Sequence, residues 1–312
     1  WRAGTLEWLP NDVYGTRSIP AVSSGEPLWD DPNLSDDVRA GRYFLPGAAT
    51  GGRETLVTSP IRATPQYVLQ VPGPSWRSLL AAVFTAAFFL LLTVKLVLPA
   101  FACGALALAM IVAWLWQTDP GPSHPPIDIG GGVLLPVYAT GSASHGWWAM
   151  VVLLLVAASM FIALFFSYLY IWTVSPEVWP AATGQGLPSG VWPFASAGAF
   201  LLGSAAMAFS SRMLARAQDS GDWPARFGIA CACLLLGAAL FIEWKGHWQT
   251  GLRPADTSYG ALVYTMIALE GQLVATAVIM GFYTIARSVV SKLTATRRGT
   301  FDNTMLFCHY TV

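Results

Sequence analysis

Four histidines, His124, His145, His247 and His309, are the side chains of this 312-residue chain best suited to hold a redox metal. A haem or copper centre needs such residues paired and aimed at one point inside a bundle. Their positions do not offer that. His124 and His145 fall in or beside a loop, His247 at the end of an apolar run, and only His309 inside one. Cys103, Cys231, Cys233 and Cys308 all lie in apolar runs, where a thiol behaves as a small hydrophobe. Cys231 and Cys233 would face different sides of a helix, with no nearby histidine to complete a site. The chain is therefore expected to bind no metal and no cofactor of its own. Gly130-Gly131-Gly132 lacks the Lys-Ser/Thr and strand–helix setting of a phosphate loop. No Ser-His-Asp or Cys-His set assembles, because the candidates fall in different loops.

Carboxyl groups carry more information. Glu270 lies about a third of the way along an apolar run, and an acid inside a membrane is costly enough to be a functional candidate by default. The simplest reading is a protonated carboxyl hydrogen-bonded to a neighbouring helix. A proton-relay or lipid-contact role, and a carboxyl facing a cavity or a partner subunit, stand beside it. Glu243, near Trp244, Lys245 and His247, reads as interfacial. It is either solvated or salt-bridged, or it grips a lipid headgroup together with Lys245.

The elements that must position these residues are membrane helices. Hydrophobic residues make up 54% of the chain and charged residues 11%, far below the roughly 25% charged of soluble domains. Trp147–Trp172 is 26 residues without a charged side chain, with aromatic rings at both ends. As a helix it would reach roughly 39 Å, enough for a hydrocarbon core of about 30 Å. Comparable runs are expected at 76–98, 101–116, 192–214, 227–248 and 259–289, with 301–312 an incomplete seventh. Pro99 is expected to close the first. The fold class that follows is all-α, a polytopic bundle of seven helices divided two plus five. Ala195, Ala199 and Gly203 recur every fourth residue, as do Ala206 and Ser210, which predicts close helix packing on that face.

Residues 1–75 differ: they hold 8 Gly, 9 Pro and 8 of the 17 acidic residues. They read as an irregular polar leader without its own core, so the domains are expected at 1–75 and 76–312. Residues 118–136 form a Pro- and Gly-rich break. The start is neither basic nor followed by a short apolar segment, so no signal peptide is expected. Beginning on Trp1 and stopping within the seventh run, the sequence reads as a piece of something longer. Net charge is zero, which gives no field to recruit nucleic acid. Arg212, Arg216, Arg226, Arg287, Lys292, Arg297 and Arg298 flank loops on one side, against Lys95, Lys245 and Arg253 on the other. That bias places the leader and the even-numbered loops in the cytoplasm.

Several residue strings resemble a known family. Trp1-Arg2-Ala3-Gly4-Thr5-Leu6-Glu7-Trp8 resembles the stretch after the last helix of haem–copper oxidase subunit I, a W-x-A-x-T-L-E-W pattern. The apolar body resembles subunit III of the same enzymes, in the number and order of its spans. Met160-Phe161, Trp179-Pro180 with Gly184, Ile242-Glu243-Trp244 and the run Phe301–Tyr310 carry the likeness. Two departures stand out. Ala158 occupies the position where the family has a Glu, and Glu270-Gly271-Gln272-Leu273 replaces a His-Gly-Leu-His run.

The resemblance implies the C-terminal part of a fused subunit I–III polypeptide of a bacterial terminal oxidase, in the inner membrane. Such a segment supports the catalytic subunit without containing its centre. Its implied partners are oxidase subunits I and II, phospholipid, and cytochrome c as electron donor, with haem and copper held by the companion subunits. The holoenzyme would reduce dioxygen to water and pump protons. A subunit III relative in a quinol oxidase or nitric oxide reductase is one rival; a secondary transporter is another. Against the transporter, no pair of Gly/Pro-broken spans recurs in matching halves.

Overall fold

The computed structural model describes residues 3–9, 20, 22–43, 54–59, 64–70, 72–118, 125–129, 133–216, 223–294 and 297–312. His124, Trp1 and the glycines at 130–132 lie outside them. The chain is largely helical, and its described residues include six helices long and apolar enough to cross a membrane. It forms two compact units, Trp1–Ala139 and Thr140–Val312.

In the first unit the two apolar runs form a helical hairpin, α3 (Trp76–Thr93) and α4 (Val97–Gln117). Ser75 caps α3 by accepting from the Arg77 N–H, and its hydroxyl donates to Gln117 at 2.9 Å, tying the start of one helix to the end of the other. Arg77 adds a bond to the Ala113 carbonyl at 2.8 Å. The first helix stops earlier than Pro99. Lys95 takes φ +60°, its N–H bonds to Leu92, and the Leu96 N–H reaches back to Leu91. This left-handed cap satisfies the last carbonyls of α3. Pro99 instead sits in the first turn of α4, where a missing N–H costs nothing.

The leader is more ordered than its composition suggests. Two short helices, α1 (Pro27–Asp30) and α2 (Leu34–Arg39), enclose Leu9, Leu34 and Val38. Strands β1 (Glu54–Thr58) and β2 (Pro65–Gln70) pair antiparallel, with Leu56 opposite Val68. The segment after α4 supplies β3 (Ile127–Asp128) and β4 (Leu134–Leu135), and the Val68 N–H donates to the Pro136 carbonyl at 2.9 Å. Val68, Ile129 and Leu135 are buried together. The expected coreless leader is thus corrected: it has two small apolar clusters, one shared with the post-α4 loop. Both ends of the α3–α4 hairpin therefore lie on one side.

The second unit contains α5 (His145–Val174), a single turn α6 (Pro180–Thr183), α7 (Val191–Arg216), α8 (Trp223–Gln249), α9 (Ser258–Val289) and α10 (Gly299–Tyr310). The four long helices extend each expected span by one to four residues at most termini. Ser144 and Thr257 cap α5 and α9 through their side-chain oxygens. The short α10 has 12 residues, about 18 Å of rise. It is packed into the core of this unit, with Phe301, Thr304, Phe307 and Cys308 buried. Thr304 and Thr284 share a buried hydroxyl contact of 2.9 Å, and Ser204 bonds to His309 Nδ1 at 2.7 Å.

The α7–α8 hairpin is the closest helix pair. Ser196, Phe200, Gly203, Met207, Ser210 and Leu214 are the buried face of α7. Gly203 faces the Ala232 carbonyl and the Leu235 and Leu236 side chains, all 3.5 Å from where a β-carbon would stand. At Gly228 a β-carbon would collide with Ser210 Oγ and meet the Ala206 carbonyl at 3.1 Å. At the far end Gly246 lies under Trp192, and Ser196 donates to the Ala239 carbonyl at 3.0 Å. The expected Ala195–Ala199–Gly203 face is therefore only partly the contact: Gly203 is buried, Ala199 half-buried and Ala195 exposed.

These contacts separate two glycines that composition alone makes equivalent. Gly228→Ala is expected to destabilise the purified chain by about 1–3 kcal/mol, the usual cost of overpacking. Gly203→Ala should lie within experimental error of wild type, since its β-carbon would meet only ordinary contacts. Thermal unfolding followed by circular dichroism decides; equal melting of the two variants would refute the packing described. Ser291, at φ +59°, closes α9 with the same left-handed cap as Lys95. Ser291→Gly should stabilise by about 1 kcal/mol, by removing the strain of an L-residue in that region.

Candidate functional site

Glu243 projects from α8 one turn before His247, so i, i+4 spacing puts both on one helix face. Glu270 projects from α9, which runs back antiparallel after the loop at 250–257. Leu240 of α8 packs on Gly271 of α9, 3.4 Å from where a β-carbon would stand. Glu243 and Glu270 line the same cleft. Both are partly buried.

The pair opens on a cleft of about 720 Å³ built from five helices and adjoining loops. Ala158, Phe161 and Ile162 of α5 form one wall, Trp192, Ser196 and Phe200 of α7 another, and Tyr310 of α10 contributes its ring. Among the described residues lining it there is no lysine or arginine, so the two acids have no basic counterpart on the wall. His247 also lines the cleft, with its Nδ1 buried and without a hydrogen-bond partner.

Lys245 does not join this group. Two residues from Glu243, it points about 160° away around the helix. It is exposed, with its ammonium 5.8 Å from the Trp192 ring and 5.9 Å from that of Phe241. Glu243 lines the cleft and Lys245 does not. Ala195, Ala199 and Gly203 are packing residues or surface, not part of the lining.

Aromatic rings gather where the cleft approaches the end of the bundle. Trp179 stacks edgewise on Tyr168 at 5.0 Å and on Tyr259 at 4.8 Å. Arg253 lies 3.7 Å over the Trp248 ring and bonds to the Trp248 carbonyl. At the opposite end, Arg226 donates to Ser288 and Arg298 to Ser211 and Asp302, fastening helix termini to each other. Sequence reasoning found Glu243 and Glu270 singly but not as a pair. It also passed over Ala158, Trp192 and His247 as neighbours of those acids. The antiparallel order of α8 and α9, with an acid near the adjoining end of each, was the signal available.

Among the described residues, no three His, Cys, Asp or Glu side chains gather closely enough to hold a metal ion. Compared with models of known protein families the chain matches none, and no curated protein is similar to it in sequence.

Proposed function

We propose that this chain is a membrane-embedded supporting segment of a terminal oxidase, the subunit III-like portion of a fused subunit I–III polypeptide. The observation that carries the reading is the run of residue strings from Trp1–Trp8 to Phe301–Tyr310 that resembles the subunit I tail and the subunit III body in order. The division of the chain supports it. A helix pair, α3–α4, belongs to one unit, and the remaining membrane-length helices belong to the other. That is the grouping expected of a two-plus-five bundle. In this role the chain holds phospholipid, braces subunit I and supports proton uptake, while haem and copper reside in companion subunits. The leader and the even-numbered loops face the cytoplasm of a bacterial inner membrane.

The test is purification of the tagged chain from its native membrane. Subunits I and II, haem absorption and cytochrome c-driven oxygen uptake are expected to co-purify. The chain stripped of those partners should show no haem spectrum. A chain that purifies without a haem–copper partner, or one that carries stoichiometric haem alone, would overturn the proposal. A second measurement follows from the α7–α8 contact. Gly228→Leu should lower the amount of assembled oxidase in the membrane several-fold, read as haem per milligram of membrane protein.

A further inference from the structure

We draw no further inference here: the strongest candidate, the apolar groove that Leu108, Val112 and Trp116 of α4 line together with Arg77 of α3, lies on a helical hairpin of membrane length, and nothing in the structure shows what covers it.

Discussion

The second unit depends on how closely α7 and α8 approach. In hydrocarbon there is no water to expel from between two apolar surfaces, so helices associate through contact and polar bonds rather than through the hydrophobic effect. Contact on this scale needs small residues, and the hairpin supplies them from both partners. Gly203 and Ser196 from α7 meet Ala232 and Ala239 from α8, while Gly228 and Gly246 open the two ends to Ser210 and Trp192. The Ser196 hydroxyl donates across the seam to the Ala239 carbonyl. The packing extends to α9, where Gly281 lies against Cys233 and Gly271 against Leu240. Adding one β-carbon at Gly228 would separate the hairpin and, through α8, move Glu243.

Charge is handled at the ends of the same helices. Arg226 joins α8 to Ser288 of α9, and Arg298 joins the start of α10 to Ser211 of α7, at one end, where the positive-residue bias of the loops is concentrated. Aromatic rings, with Arg253 stacked on Trp248, close the other. Between these layers α10 contributes buried Phe301, Phe307 and Cys308 to the core. It fills space between α5, α7 and α9 that longer helices would otherwise have to close. The cleft lies beside its last turn, at Tyr310.

The membrane helices were legible because a span must be apolar over its whole length, whatever its neighbours. Their ends were less so. Pro99 suggested a stop, but proline is tolerated in a first turn, and Lys95 made the break by adopting a left-handed cap that its type does not advertise. The packing face of α7 was displaced for a similar geometric reason. Residues spaced by four drift about 40° per step around a helix of 3.6 residues per turn, so the Ala195–Ala199–Gly203 series reaches the interface only at Gly203. The true face runs Ser196, Phe200, Gly203, Met207, Ser210, alternating steps of four and three. In the leader, strands too short to show periodicity gain their core only by pairing with residues beyond α4. No local pattern encodes such a partner.

The candidate site shows the same limit in sharper form. Glu243 and Glu270 are 27 positions apart, and neither sequence neighbourhood points to the other. What joins them is the reversal between α8 and α9 and the seat of Leu240 on Gly271. Ala158 on α5 and Glu270 on α9 are far apart in the sequence. Ala158 and Glu270 line one cleft. The small Ala158 side chain lines that cleft from α5, beside Phe161 and Ile162.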